Sequence, residues 1–340
     1  MMVVSKREYL IRVGVVMFFI FSFGCTKKSP VEEKYPFWTL ISTPDEMESI
    51  WAISASPSGG LFFSAIDIGG TKWLLFSKDY ENWTRKEQTG YTAKLWAFSD
   101  LKLFALKDSL KMSSDGGSTW ITVGAFLYPF FLDSTTIFGF KKDDSTHYSL
   151  KYTVDAGNEW KTYFTLPDST FPAGIHSMRD VLRDHISFAN LEEGVIYVEK
   201  FTQYIQGIII YTNDGGKHLK INEAPCRGPS SVICLGNGII LVLGEHLFRS
   251  EDGGENWTEY DLDDFGPWSY SRLLFITSKV GYAINLRGKT LMTEDGGESW
   301  TEINPIPIEK NQLYVKLGVT HTPDGKIFIS NGEEIFVGEE

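Results

Sequence analysis

Read as a pattern of apolar and polar positions, the chain is a succession of short β-rich runs separated by turn residues. Runs such as 208–211 (Ile-Ile-Ile-Tyr) and 239–243 (Ile-Ile-Leu-Val-Leu) span four or five residues and are preceded by glycine, as in small antiparallel sheets. No stretch sustains a helical period. Strands are also expected at 37–41, 186–189, 314–320, 326–330 and 334–337.

Between the runs, one hairpin is written six times. Its clearest copies are Ser113-Ser114-Asp115-Gly116-Gly117-Ser118-Thr119-Trp120, Ser250-Glu251-Asp252-Gly253-Gly254-Glu255-Asn256-Trp257 and Thr293-Glu294-Asp295-Gly296-Gly297-Glu298-Ser299-Trp300. Thr153 to Trp160 fits around Asp155, and Thr212 to Leu219 fits around Asp214 with Leu in place of Trp. Ser77 to Trp83, around Asp79, is one residue short and lacks the glycine. The Asp carboxylate and the Ser or Thr hydroxyl are suited to accept turn amides. The Gly suits a positive φ, and the Trp is expected to begin the return strand and cover the hairpin. An element recurring in every blade does not define one acid or metal site. Asp79, Asp115, Asp155, Asp214, Asp252 and Asp295 therefore read as structural, with no metal or cofactor expected.

The Asp residues are spaced 36, 40, 59, 38 and 43 apart, and the 305 residues from 36 to 340 divide into seven units of about 44, a propeller blade's span. Six or eight units fit less simply. The last unit ends without a hairpin motif, while Phe37-Trp38-Thr39-Leu40-Ile41 reads like Trp300-Thr301-Glu302-Ile303. The expected fold is all-β: a seven-bladed β-propeller of four-stranded antiparallel blades, closed by the N-terminal strand joining the C-terminal blade.

Lys6, Arg7 and Arg12 precede an apolar stretch at 13–23 that is short for a membrane span. Ser22-Phe23-Gly24-Cys25 resembles a bacterial lipoprotein signal with Cys25 as the lipidated residue, the alternatives being a plain cleaved signal or an uncleaved anchor. The domains are then a signal peptide at 1–24, a tether at 25–35 and one propeller at 36–340. Removing 1–24 takes the formal net charge from −12 to −14, which argues against nucleic acid as a partner. Cys226 and Cys234 remain, either as a disulfide of an exported protein or as two buried thiols. Lys27 and Lys28 after Cys25 favour a periplasm-facing outer-membrane location in the bacterial envelope. A closed ring needs no partner to fold, so a monomer is expected.

The hairpin motif resembles the Asp-box, or BNR, repeat of sialidases, xyloglucanases, sortilin-type receptors and photosystem II assembly factors. Residues 273–303, with Val280-Gly281-Tyr282-Ala283 ahead of the last complete motif, look most like the last of these families. That resemblance implies a non-catalytic scaffold holding a partner polypeptide against the propeller face. The sialidase resemblance implies three arginines, a Tyr nucleophile with a Glu, and an Asp acid/base. Residues 38–76 contain no arginine, so that machinery is missing at its first residue.

By fold-level analogy, ligands meet a propeller at the face carrying the d–a and b–c connections. Trp51 and Trp96 begin equivalent inner strands, in Ile50-Trp51-Ala52 and Leu95-Trp96-Ala97, with Tyr128, Trp268 and Tyr270 near similar entries. These rings suit stacking on a sugar or gripping a peptide, or packing between blades. The long step encloses an insertion at 167–184 with His176, Arg179 and Arg183, either a binding loop or a solvated one. Asp261, Asp263 and Asp264 form an acidic entry to the sixth blade. No His-Glu-x-x-His or Gly-x-Ser-x-Gly occurs. The reading is a binder of a protein or glycan, with a glycoside hydrolase or lyase using two carboxylates as the alternative.

Overall fold

The structure is a computed structural model. It describes residues 37–88, 92, 94–143, 147–167, 185–198, 207–260, 272–285, 287–307 and 318–339, except the side chains of residues 37, 127, 128, 142, 167 and 339. Residues 35–340 form one compact unit, and unit 1–34 lies outside the described residues, with Cys25 in it.

The described strands form seven four-stranded antiparallel sheets. Blade 1 is β2–β5: Met47–Ala55, Leu61–Asp67, Lys72–Ser77 and Thr84–Gln88. Blade 2 is β6–β9: Lys94–Ala97, Leu103–Leu106, Leu110–Ser113 and Ile121–Gly124. Blade 3 is β10–β13: Leu127–Phe131, Ile137–Lys142, His147–Thr153 and Lys161–Pro167. Blade 4 is β14–β17: Ile186–Phe188, Gly194–Val198, Ile208–Thr212 and Lys220–Glu223. Blade 5 is β18–β21: Ser231–Gly236, Ile239–Leu243, Leu247–Ser250 and Thr258–Tyr260. Blade 6 is β22–β25: Arg272–Phe275, Gly281–Ile284, Thr290–Thr293 and Thr301–Ile303. Blade 7 takes β26–β28 (Gly318–His321, Ile327–Ser330, Ile335–Glu339) and, as its outermost strand, β1 (Phe37–Ile41).

Sequence sorts the strands by depth. The middle strands of blade 4, Gly-Val-Ile-Tyr-Val and Ile-Ile-Ile-Tyr-Thr, are buried at every residue. Outer strands such as Thr-Arg-Lys-Glu-Gln are mostly exposed. A middle strand has a neighbouring blade on both faces, so an unbroken apolar run suits it better than alternation.

The core lies between blades. Phe138, Phe140 and Leu150 of blade 3 pack with Phe188, Ile196 and Ile210 of blade 4. Phe63 and Leu75 of blade 1 pack with Phe328, Ile335 and Val337 of blade 7. Each such side chain contributes roughly 1.5–3 kcal/mol when fully buried. Inner-strand hydroxyls add direct ties. Ser54 accepts from Ala97 N (2.9 Å), Ser187 from Cys234 N (3.0 Å) and Thr320 from Ala55 N (3.0 Å).

β1 closes the ring as expected. It pairs with β28 in unbroken register from Phe37 opposite Glu339 to Ile41 opposite Ile335. Trp38 reaches out of the blade, its Nε1 donating to Asn304 O of blade 6 (2.9 Å). Closure joins the chain ends but leaves the outer strand of each blade as a sheet edge.

One expectation is corrected, and the choice left open for the cysteines falls to two buried thiols. The hairpin Trp closes the turn one residue before the outer strand, as Trp120 does ahead of Ile121 and Trp300 ahead of Thr301. Cys226 and Cys234 are both free and buried. The Cys226 thiol lies against Gly244, while Cys234 is paired across the sheet with Ile240. Four residues of extended strand separate those contacts by about 13 Å, beyond a disulfide's reach. Burial pushes the two thiols up, to about 12 for Cys226 and about 11 for Cys234.

Candidate functional site

The two ends of the ring are built differently. One carries the a–b turns and the c–d hairpins with the repeated Asp. Asp115 shows the turn: Oδ1 accepts from Ser113 Oγ (2.8 Å), Ser118 N (2.9 Å) and Thr119 N (2.8 Å), and Oδ2 from Thr119 Oγ1 (2.7 Å). Ser113 Oγ in turn accepts from Gly117 N at 2.8 Å. The hydrogen bonds, led by those from Thr119, hold the Asp115 carboxyl well below the usual range. The amide of Asn256 does most to hold Asp252 at about 2, and that of His218 to hold Asp214 at about 2. These carboxylates are consumed within their own turns.

A second tie joins the hairpin to the a–b turn of its own blade. Gly116 N donates to Leu101 O, Ala156 N to Thr135 O, Gly215 N to Glu192 O and Gly296 N to Lys279 O, each at 2.9 Å, and Gly253 N to Gly238 O at 3.0 Å. The donor has positive φ each time, 61° even at Ala156. In the shortened copy, Tyr80 takes that conformation (φ 63°), and its hydroxyl reaches Gly59 O at 2.9 Å. This end is locked by its own backbone.

The opposite end carries the b–c turns and d–a connections. Segments 168–184, 199–206, 261–271 and 308–317, which join strands here, lie outside the described residues. So do His176, Arg179, Arg183, Trp268, Tyr270 and the side chain of Tyr128.

Of the predicted aromatics, Trp51 and Trp96 are described, and their surroundings differ. Trp96 packs between blades on Phe131 of blade 3 (ring centroids 4.7 Å apart). Trp51 occupies a β-bulge, where Ile50 pairs with Ala65 and Ala52 with Ser64. Bulges re-aim side chains, and here the indole lines a shallow surface cleft with Ser64, Ala65, Lys72, Trp73, Gln88 and Thr92. Among the described residues, no carboxylate lines it.

Trp73 is missing from the sequence reading, though its support is legible in Asp67-Ile68-Gly69-Gly70-Thr71. Asp67 Oδ1 accepts from Gly69 N (2.9 Å) and Thr71 N (2.8 Å), and Oδ2 accepts from Trp73 Nε1 (2.8 Å). The indole bond leads in holding the Asp67 carboxyl below its usual range. The Trp73 ring is thus fixed from behind.

Across the same end, between blades 4 and 6, lies a polar floor. The buried His185 ring meets Pro229 O through Nε2 at 3.1 Å, and since a carbonyl only accepts, Nε2 carries the proton. Tyr197 packs edge-on against that ring (4.8 Å), and its hydroxyl accepts from Gly228 N (3.2 Å). Arg272 Nη1 donates to Ser230 O at 3.4 Å. Among the described residues, no cluster of three His, Cys, Asp or Glu side chains could hold a metal.

No protein-family model and no curated protein sequence matches the chain. Solved structures with the same fold include YCF48 from Cyanidioschyzon merolae, with a TM-score of 0.58 at 14% identity over 88% of this chain and 98% of that one. YCF48 bound to D1 peptide gives 0.55 at 13% identity, over 89% and 94%. A streptogramin B lyase gives 0.51 at 12% identity, over 90% and 98%. At these identities the likeness is one of fold.

Proposed function

We propose that the chain is a lipid-anchored, extracytoplasmic propeller that binds a polypeptide on its b–c and d–a face and performs no catalysis there. The observation that carries this reading is the contrast between the two ends. One is locked turn to turn, while the other holds an aromatic cleft beside connections of very unequal length, the place where a rigid scaffold offers binding groups. The YCF48 structure with a bound D1 peptide supports a polypeptide partner on this fold. We read the repeated turns as Asp-box repeats of the photosystem assembly factor type, with sialidase propellers as more distant relatives. The anchor is Cys25 in the outer membrane facing the periplasm, and Cys25→Ala is expected to release the protein from membranes.

The test uses a random 12-residue peptide display library panned against the protein. Binders are expected to lose at least tenfold in affinity on Trp51→Ala or Trp73→Ala while both variants keep the parent's circular dichroism spectrum, and equal binding by both variants would remove the cleft from the function. A glycan array run beside it addresses the sugar-ligand version of the site.

The alternative, a glycoside hydrolase or lyase, is supported by the shared fold of the streptogramin B lyase. Against it, Trp96 is engaged between blades and no carboxylate among the described residues lines the Trp51 cleft. Measurable turnover of aryl glycosides or polysaccharides by the purified protein would reverse the order of the two readings.

A further inference from the structure

We propose that Asn237-Gly238, the a–b turn of blade 5, is a latent deamidation site, and that Glu193 of blade 4 holds it closed. In deamidation the amide nitrogen of the following residue attacks the Asn side-chain Cγ. A C–N bond forms, the attacking nitrogen loses its proton, and the side-chain nitrogen leaves as ammonia. Water then opens the succinimide to aspartate or isoaspartate. Asn is among the thermolabile residues, most of all before Gly, which has no side chain to shield its amide. The chain has two Asn-Gly steps, 237–238 and 331–332, and they are restrained differently. Asn331 is buried, its Oδ1 accepts from Glu333 N (3.0 Å) and Glu334 N (2.7 Å), and its Nδ2 donates to Glu334 Oε2 (3.0 Å). There the electrophile is shielded. Asn237 is exposed, and its side chain makes no hydrogen bond among the described residues.

At Asn237 the nucleophile is held instead. Asn237 and Gly238 have φ of 55° and 81°, the left-handed pair of a two-residue hairpin turn. The buried Glu193 carboxylate reaches into this turn from the a–b turn of the neighbouring blade. Its Oε1 accepts from Gly238 N at 2.7 Å and its Oε2 from Asn237 N at 2.8 Å, while the Tyr211 hydroxyl donates to Oε1 at 2.7 Å. Gly238 O accepts from Gly253 N at 3.0 Å. Bringing Gly238 N onto Asn237 Cγ rotates the peptide between them and breaks these bonds, of which the two to the carboxylate are of the strong, charge-assisted kind. Taking the proton from Gly238 N beside an anion is disfavoured as well. The step is thus protected by another blade and not by its own sequence. Isoaspartate would lengthen the backbone within the turn by one carbon and spoil the tie from Gly253.

The experiment is peptide mapping by mass spectrometry of the purified protein after incubation at mildly alkaline pH, folded and unfolded in guanidinium, with both Asn-Gly steps read in each digest. In the folded parent Asn237 is expected to deamidate more slowly than in the unfolded chain by about tenfold or more, the worth of one hydrogen bond to a charged group. Glu193→Gln sets an NH2 group opposite one of the two amides. It is expected to speed Asn237 by about tenfold through loss of that bond and to leave Asn331 unchanged. Glu193→Asp, charged but one methylene short, is expected to fall between the parent and Glu193→Gln. Tyr211→Phe keeps both amide bonds and is expected to keep the parent's rate at Asn237. Three results overturn the proposal. One is an Asn237 that reacts as fast folded as unfolded. Another is a rate in Glu193→Gln that is unchanged or lower, the carboxylate then being idle or serving as the base. The third is a rise at Asn331 equal to that at Asn237 in both Glu193 variants, which marks general opening and not a released turn.

Discussion

At the scale of the residue, the hairpin is decided by two adjacent left-handed positions. Gly116 and Gly117 have φ of 68° and 89°. The first turns its amide toward the a–b turn, and the second lets the neighbouring blade come close. A Cβ on Gly117 would stand 2.2 Å from Leu74 Cδ2 of blade 1, whereas one on Gly70, at φ 82°, would meet nothing within 4 Å. Gly70→Ala therefore isolates the backbone strain, about 1 kcal/mol. Gly117→Ala adds overpacking of roughly 1–3 kcal/mol, so chemical denaturation is expected to rank it clearly below Gly70→Ala. Acid tests the same turns. Asp214 and Asp252 sit at about 2 because their charged forms accept turn amides, and Asp115 lies below its usual value because its charged form accepts first from the Thr119 hydroxyl and then from turn amides. Their folded values are depressed, so the stability they add is present above the unfolded carboxyl value near 4 and is lost as pH falls toward 2. Circular dichroism is expected to show cooperative loss of structure in that window, at higher pH for Asp252→Asn, which has already lost one such turn.

At the scale of the element, the sequence was most legible where one strand carries its own signal. Phe37–Ile41 and Ile239–Leu243 are read from the chain with the bounds they have in the fold. What escaped reading depends on a second element. Ile-Trp-Ala and Leu-Trp-Ala are nearly the same text, yet a bulge against β3 turns Trp51 into a cleft, while β10 brings Phe131 onto Trp96. The tie from Gly116 to Leu101 is likewise invisible, because nothing in the motif names the carbonyl it reaches. The two cysteines belong here too, since only the register of β18 on β19 shows that they are too far apart to bond. With their thiols buried and raised to about 12 and about 11, neither is expected to react with Ellman's reagent at pH 8 in the native protein. Both are expected to titrate within minutes of unfolding in guanidinium.

At the scale of the whole molecule, seven similar sheets leave one seam with a character of its own. The count of blades and the shared last blade were legible in the motif spacing and in the likeness of 37–41 to 300–303. The proposed binding face was legible only as an end of the ring, because much of its chemistry belongs to d–a connections that lie outside the described residues. Blade 1 and blade 7 meet as closely as blades adjacent in sequence do. Trp83 Nε1 donates to Ser42 O at 2.9 Å, and Ile50 N to Gly332 O across the junction.

Because Phe37 stands directly across from Glu339, the ring has a beginning only in the genetic sense. Splicing those ends with a few glycines and reopening the chain between blades 2 and 3, at the short link 125–126, relocates the termini without touching a strand. Such a permuted protein is expected to give the parent's circular dichroism spectrum and a single unfolding transition, with blade 7 built from one continuous length of chain.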